Sequence, residues 1–289
     1  MTMQLFISGI IFGLSLGSIF FLMTIGLSLC FGLMRIISLD QLLYYSVGAY
    51  ITYSVGLLTG SVWVGIAAGV IVGGAAALAV ERIVFRRIYD RDLPFTMITS
   101  FGVLIGGVGV IKYFWGLVPR PVAEPIAAQV FVIGTEIPIY RLVIIGIAAL
   151  VYVGIWLFLN RTIIGKAIRA GTEDVEHVEG LGINVSRLFT LTFIIAGALS
   201  GLAGGLHAPL IMVYPDMGLE VLAFAVMVVI IGGLGSIKGT FISAFLVGQV
   251  VSIGSLIYAP LAQMAPFAIM LLILLVKPTG LYGGTLVKK

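Results

Sequence analysis

Charged residues are scarce in this chain of 289 residues. They make up 10% of it, as 12 acidic and 16 basic side chains, while 61% of the residues are hydrophobic. A soluble domain carries about 25% charged residues, so the composition excludes a surface covered by water alone. Three stretches, Met1–Met34, Gln41–Val80 and Gly239–Val276, contain no charged residue. A membrane span needs about 20 apolar residues, so the second and third stretches can each hold two spans.

Cysteine and histidine are also scarce. The single Cys30 excludes a disulfide within the chain and a metal cluster built on thiols, and we interpret it as a packing residue. His177 and His207 are far apart and lack the spacing of metal ligands. No basic residue precedes the first apolar stretch, so we expect the N-terminus to be retained. The basic residues form no patch with interleaved aromatic residues, so nucleic acid is not an expected partner.

Apolar stretches predict an all-α polytopic membrane protein with eight or nine transmembrane helices in one domain, 1–289. They lie at about 3–34, 41–59, 62–80, 93–111, 142–160, 188–206, 221–237, 239–257 and 262–276. The first would be about 50 Å long as one helix, so we expect part of it to be tilted, interfacial or broken. The 221–237 stretch is short and joined to the next by Gly235–Gly239, which favours a broken or re-entrant helix.

Basic residues predict the orientation of these spans. If each stretch crosses once, 13 bases fall on one side and three, Lys112, Arg120 and Arg141, on the other. The larger group comprises Arg35, Arg82, Arg86, Arg87, Arg91, Arg161, Lys166, Arg169, Arg187, Lys238, Lys277, Lys288 and Lys289. Cytoplasmic loops carry the excess of Lys and Arg. We therefore expect an outer N-terminus, a cytoplasmic C-terminus, a long outer loop at about 112–141 and a long inner loop at about 161–187.

Glycine recurs at four-residue spacing in three of the stretches. The three sets are Gly9, Gly13 and Gly17, then Gly65, Gly69 and Gly73, then Gly197, Gly201 and Gly205. Such stripes let helix backbones approach closely in lipid. We expect them to pack helices within the chain; the alternative is contact with a second membrane subunit.

The inner loop, 161–187, combines basic residues with a cluster of four acids: Glu173, Asp174, Glu176 and Glu179. Thr172 in front of this cluster predicts a helix start, with the acids at the positive end of the helix dipole. Gly180 and Gly182 predict the end of that helix. A short helix between glycines fits contact with a soluble partner, but an ordinary solvated loop explains the pattern equally well.

Three segments of the chain carry a family resemblance. One is the inner loop, with Gly165-Lys166-Ala167-Ile168-Arg169-Ala170, Asp174, Glu176, Leu181-Gly182-Ile183-Asn184 and Arg187. A second, near the N-terminus, comprises Gly26-Leu27-Ser28-Leu29, Phe31-Gly32-Leu33-Met34-Arg35 and Gly48-Ala49-Tyr50. The third is Gly232-Gly233-Leu234-Gly235-Ser236-Ile237 with Gly239 and the segment Lys277–Gly283. In these segments the chain resembles the permeases of branched-chain amino acid importers of the ATP-binding-cassette superfamily, and the inner loop resembles their cytoplasmic coupling loop.

The resemblance implies a division of labour between subunits. The chain would lie in the bacterial inner membrane, where a periplasmic solute-binding protein would deliver branched-chain or other small amino acids. A second permease subunit would complete the path, and two cytoplasmic ATPases would dock on the coupling loop. ATP and magnesium would then be cofactors of the partners, none would belong to this chain, and the chain would not be an enzyme. The sequence has no Walker A motif, since Ala167 follows Gly165-Lys166 where Ser or Thr would hold magnesium.

The resemblance also assigns site residues. Those of the coupling loop are Gly165, Arg169, Ala170, Asp174, Glu176, Gly182, Ile183 and Asn184. The candidates for the pathway or a hinge are Asp40, Gln41, Gly232, Gly233, Gly235 and Ser236. An unpaired charge in the membrane costs several kcal/mol, so Asp40 would either line the inner mouth or lie in a short loop at the water interface, which we favour.

Two departures from the family leave the substrate open. The segment Ile37–Leu43 stands where the family usually has Ile-Asn-Phe-Ala-His-Gly-Glu, and Lys238 stands where it has proline. Urea, amides and aromatic acids are alternative substrates within the family. A transporter or channel that works without ATP is a second hypothesis, because broken helices suit a site between repeats. An intramembrane enzyme is a third, but no span contains a His-Glu or Cys-His cluster.

Overall fold

The chain folds into a helical bundle, seen in a computed structural model that describes residues 3–89, 91–132, 135–173 and 175–283. Within these residues the helices are α1 (Met3–Met34), α2 (Gln41–Thr59), α3 (Val62–Ile83), α4 (Leu93–Trp115), α5 (Ile139–Arg161), α6 (Ile163–Glu173), α7 (Val175–Gly180), α8 (Val185–His207), α9 (Met217–Glu220), α10 (Leu222–Gly232), α11 (Ile237–Ile257) and α12 (Ala259–Val276). The predicted all-α polytopic class is confirmed.

Each predicted apolar stretch corresponds to one helix. Six of the described helices, α1, α3, α4, α5, α8 and α11, are long and apolar enough to cross a membrane, and the shorter apolar stretches Met217–Gly232 and Ala262–Val276 accompany them. Together with α2 they account for all nine predicted stretches. The chain is therefore a multi-pass membrane protein.

The first helix is continuous. It contains 32 residues, which corresponds to about 48 Å at 1.5 Å per residue. Of the three expected alternatives a break is therefore wrong, and a tilted or interfacial part stays a prediction. It ends at Arg35, whose φ of 54° lies in the left-handed region that few residues other than glycine adopt. The chain then turns through six non-helical residues, 35–40, before α2 begins.

The predicted break in the helix near residue 235 is confirmed. With 11 residues, α10 extends for only about 16 Å, roughly half of the hydrocarbon core. Gly233 and Gly235 then have φ values of 95° and 80°, which favour glycine because it has no Cβ. Ser236 starts the next helix, since its hydroxyl accepts a hydrogen bond from the Gly239 amide at 3.2 Å. We call Gly232–Ser236 the hinge.

Two of the glycine stripes hold α3 against α8. A Cβ added to Gly73 would lie 3.1 Å from the Cα of Gly201, and one added to Gly201 would lie 2.5 Å from the carbonyl oxygen of Gly69. The third stripe holds α1 against α11, where a Cβ on Gly17 would lie 2.8 Å from the Cα of Phe245. The stripes therefore pack helices within the chain, as we expected.

The loops opposite the hinge are tied to one another. Arg120 and Val213 exchange two backbone hydrogen bonds of 2.8 and 2.9 Å, and Lys112 forms an ion pair with Asp216 at 2.8 Å. We call this end of the bundle the far face. It also carries an antiparallel hairpin of β1 (Gln129–Val132) and β2 (Thr135–Pro138). The sequence analysis missed this hairpin, although β-branched and aromatic residues at 130–132 favour a strand.

Candidate functional site

One cavity joins the two segments that the sequence analysis singled out. It has a volume of about 370 Å³ and lies between the ends of α1 and α5, helix α6 and the hinge. Helix α6 contributes Arg169 and Thr172 to its wall, and the hinge contributes Gly235 and Ser236. We call this end of the bundle the basic face. Residues predicted separately for the coupling loop and for the hinge therefore line a common space.

The predicted helix of the inner loop corresponds to α7, which begins at Val175 in the described residues. The predicted start at Thr172 is wrong, because Thr172 lies in the last turn of the preceding helix α6, where its hydroxyl donates to the carbonyl oxygen of Arg169 at 2.7 Å. Thr162 caps α6, which the sequence analysis missed, since its hydroxyl accepts a hydrogen bond from the Gly165 amide at 2.9 Å. The predicted end is confirmed, because α7 ends at Gly180 and Gly182 has a φ of 79°.

Helix α6 is fixed to the end of α5. A Cβ on Gly165 would lie 2.5 Å from the Cα of Leu159 and would also collide with the backbone of Phe158. The guanidinium of Arg169 donates to the side-chain oxygen of Asn160 at 2.5 Å, which adds a polar tie between the two helices. Backbone contact of this kind leaves α6 little freedom to slide along α5.

The other side of α6 is free. Lys166, Arg169 and Ala170 are exposed, whereas Ala167 and Ile168 are buried in the core. The helix is therefore amphipathic. Its apolar side packs on the bundle, and its other side exposes basic residues to solvent. This exposed surface is available for a partner.

Gly32 of α1 connects α6 with the hinge. A Cβ on Gly32 would lie 3.6 Å from the methyl carbon of Thr172 and 3.4 Å from the carbonyl oxygen of Gly235. A Cβ on Gly235 would in turn lie 3.0 Å from the Cα of Gly32. Helix α6, the end of α1 and the hinge thus form an unbroken line of contacts.

The hinge is held from behind by the segment after α12. The amides of Leu281 and Tyr282 donate to the carbonyl oxygens of Ile231 and Gly232 at 2.8 and 3.0 Å. These bonds satisfy carbonyl groups that the end of α10 leaves without a partner inside the helix. Gly280, with a φ of 80°, allows this approach, because a Cβ there would lie 2.6 Å from the amide nitrogen of Gly233.

The remaining residues predicted for the coupling loop have separate places. Asn184 caps α8, because its side-chain oxygen accepts a hydrogen bond from the Arg187 amide at 3.1 Å. Ile183 packs against the core. Asp174 lies outside the described residues, and Glu176 is described only by its position in α7. Among the described residues, no group of three or more His, Cys, Asp or Glu side chains could hold a metal ion.

Asp40 lies in the short loop between α1 and α2, as we expected, but it is completely buried, so the expectation that it is exposed to water there is wrong. The hydroxyls of Ser38 and Tyr44 each donate to its carboxylate at 2.5 Å. These donors explain how an acid fits between two apolar helices, because a buried carboxylate requires hydrogen bonds in place of water.

Gln41 extends this polar group to α8. Its amide donates to the hydroxyl of Ser38 at 3.2 Å, and its side-chain oxygen accepts from Ser200 at 3.1 Å. Asp40 and Gln41 do not line the cavity at the basic face. In the described structure they bridge α1, α2 and α8 as a buried polar network.

Most residues of the cavity wall were missed as site residues by the sequence analysis, among them Ser28, Tyr152, Trp156, Asn160 and Lys238. Lys238 carried a usable signal, since it departs from the proline that is usual in the family. Trp156 carried a misleading one, because tryptophan near a span end is typical of an interfacial anchor. The serine and asparagine are unremarkable without knowledge of which helices meet.

A multi-pass bundle with a braced amphipathic helix beside a glycine hinge is an architecture that fits a membrane transport permease. Residues 9–275 match the family described as branched-chain amino acid transport system, permease component, and the chain belongs to this family. The family resemblance inferred from the sequence is thereby confirmed.

Relatives share nearly the full length of the chain. The high-affinity branched-chain amino acid transport system permease protein LivH of Escherichia coli K12 is 27% identical, over 96% of this chain and 95% of the relative. BraD of Pseudomonas aeruginosa, which has the same description, is 26% identical over the same shares. A probable branched-chain amino acid transport permease protein LivH of Methanocaldococcus jannaschii is 26% identical over 91% of this chain and 88% of its own. No solved structure matches the chain.

The buried network around Asp40 can be tested with two matched variants. Tyr44→Phe removes a donor from a buried carboxylate and should lower the free energy of unfolding by about 1–3 kcal/mol. Tyr50→Phe is the control, because the buried Tyr50 hydroxyl has no hydrogen-bond partner among the described residues, so its loss should be neutral or stabilising. Thermal unfolding in one detergent compares them, and equal losses for the two variants would contradict the assigned network.

Proposed function

We propose that the chain is the membrane-spanning permease subunit of an ATP-driven importer of small hydrophobic amino acids. A periplasmic binding protein supplies the solute, a second permease subunit completes the path, and two cytoplasmic ATPases bind ATP and magnesium. The family and the names of the relatives, which refer to branched-chain amino acid transport, support this substrate class. As a subunit of such an importer, the chain would form the path and would not itself hydrolyse ATP.

The observation that carries the proposal is the two-sided surface of α6. One side is fixed to α5 through Gly165, and the other exposes Lys166 and Ala170. A partner that binds the exposed side can move α6 only together with the helix ends behind it. A loosely attached loop would dissipate such a movement, whereas a helix in contact with backbone transmits it.

The line of contacts through Gly32 is the route by which a movement of α6 would reach the hinge. A displacement of Thr172 acts on Gly32 through the Thr172 methyl group, and Gly32 acts on Gly235 through their backbones. The hinge joins the short helix α10 to α11 and is the point at which the two can change their relative angle. ATP-bound partners would favour one arrangement of the hinge, and release of nucleotide would favour the other.

The proposed orientation places the N-terminus outside and the C-terminus in the cytoplasm of a bacterial inner membrane. The excess of Lys and Arg in the loops on the side of Arg35 supports it. The basic face, with the exposed side of α6, is then cytoplasmic, where ATPases are found. The far face receives the binding protein.

Replacement of Gly165 tests the role of α6. Gly165→Ala places a methyl group against the backbone of Phe158 and Leu159, so α6 must move away from α5. We expect ATP-driven leucine uptake by the reconstituted complex to fall about tenfold or more. A change of this size corresponds to the usual coupling free energy between two sites. The amount of protein in the membrane should stay unchanged.

Gly180→Ala is the matched control in the same loop. Gly180 is exposed, and a Cβ there would meet nothing within 4 Å. Uptake should therefore be preserved. Equal loss in both variants, or full uptake by Gly165→Ala, would show that contact of α6 with α5 has no coupling role. Uptake by this chain alone, driven by an ion gradient, would contradict the proposal as a whole.

Cysteine labelling tests the orientation. The only native cysteine, Cys30, is buried and can be replaced by serine to give a background without thiols. Glu124→Cys and Arg187→Cys then each place one thiol at an exposed position, on the far and basic faces respectively. In intact cells a membrane-impermeant maleimide should label the first variant only, and it should label the second after permeabilisation. The reverse pattern would invert the proposed orientation.

A further inference from the structure

The cavity at the basic face has an unbalanced charge. Arg169 and Lys238 both belong to its wall, and no acidic side chain is found among the described residues that line it. Both basic side chains are exposed. An occupant with a negative charge would be favoured here, whereas the ammonium group of a zwitterion would meet two positive charges and no carboxylate.

The start of α11 adds to this positive potential. Ser236, Ile237 and Lys238 line the cavity, and Ile237 is the first residue of this helix of 21 residues. The first amides of a helix have no partner within it, and the helix dipole places positive potential there. Only the Gly239 amide is occupied by the capping hydroxyl of Ser236. Helix starts of this kind bind anions in many proteins.

A second, independent observation concerns Ser28 of α1. Ser28 is completely buried and belongs to the cavity wall, yet its hydroxyl has no hydrogen-bond partner among the described residues. Buried polar groups are almost always paired, because an unpaired one costs stability. An acceptor group bound in the cavity would give this hydroxyl its partner.

Part of the cavity wall is apolar. Leu29, Tyr152 and Trp156 line it, and the volume of about 370 Å³ lies in the range of small-molecule sites. Aromatic and aliphatic side chains of this kind bury an apolar body and leave its head group free to reach the basic residues.

We propose that this cavity binds an organic anion with an apolar body, as a site of its own. The anionic head group meets Lys238, Arg169 and the start of α11, Ser28 donates to it, and the apolar body lies against Tyr152 and Trp156. Such an occupant touches α1, α5, α6 and the hinge at once, so it holds the hinge in one arrangement. Binding of the anion goes beyond the permease role and does not rest on it, whereas its effect on the hinge rests on the proposed function. The head group can be a soluble carboxylate or the phosphate of an anionic lipid.

Binding of two molecules that differ only in the ammonium group tests the chemistry. The full chain is placed in nanodiscs of phosphatidylcholine and titrated calorimetrically, without nucleotide, with phenylpropionate and with phenylalanine. We expect phenylpropionate to bind about tenfold more tightly than phenylalanine or better, because only the zwitterion brings a positive charge into the cavity. Since no transport is measured, the result is independent of the importer assay.

Variants locate the site. Lys238→Gln should weaken phenylpropionate about tenfold, as expected for the loss of a charge-assisted contact, and Ser28→Ala about threefold to tenfold. Ser28→Ala should leave the thermal stability of the unliganded chain unchanged or higher, because no existing hydrogen bond is lost. Lys166→Gln is the control, since Lys166 is exposed on the same helix as Arg169 but does not line the cavity.

A parallel series in nanodiscs with and without phosphatidylglycerol distinguishes the two sources of the anion. One outcome is that phosphatidylglycerol raises the thermal midpoint, that Lys238→Gln and Ser28→Ala abolish this rise, and that phenylpropionate does not bind. This outcome supports the site and identifies lipid as its occupant. The proposal is overturned if neither probe binds, if phenylalanine binds as tightly as phenylpropionate, or if Lys166→Gln has the same effect as Lys238→Gln.

Discussion

In a lipid bilayer, helices gain little by burying apolar side chains against each other, because lipid tails are equally apolar. Close contact between backbones must supply the attraction instead, and this chain obtains it with glycine. Gly69 and Gly73 meet Gly201 across α3 and α8, and Gly17 meets the backbone of Phe245 across α1 and α11. At each of these points a side chain on the glycine would force the helices apart. The bundle therefore depends on positions that have no side chain.

The same kind of contact gives the permease a way to transmit movement. Gly165 fixes α6 to α5, and Gly32 meets the hinge at Gly235. Side chains can change rotamer and absorb a displacement, whereas touching backbones transfer it. The contacts that stabilise the fold and those that would couple ATP hydrolysis to transport thus have one physical basis, and the cavity lies where they converge.

Much of the fold could be predicted from local features. Runs of apolar residues located every helix that accounts for a span, and Gly233 and Gly235 indicated the break before α11. Helix α6 was missed because its cap at Thr162 was not recognised, and the contact of Gly165 with α5 is not visible in the sequence. The burial of Asp40 depends on Tyr44, one helical turn away on α2, and on Ser38, and the sequence does not show that these donors close around it.

The cavity could not be predicted, since α1, α5, α6 and the hinge come from distant parts of the chain.

Coupling of α6 to the hinge is the central claim, and distances between spin labels test it directly. Labels at the exposed positions Ala170, Leu234 and Glu124 should be measured in the assembled complex with and without ATP. We predict an unchanged distance between Ala170 and Leu234, with a change in the distance from Leu234 to Glu124. A distance between Ala170 and Leu234 that changes while Leu234 keeps its distance to Glu124 would contradict the claim.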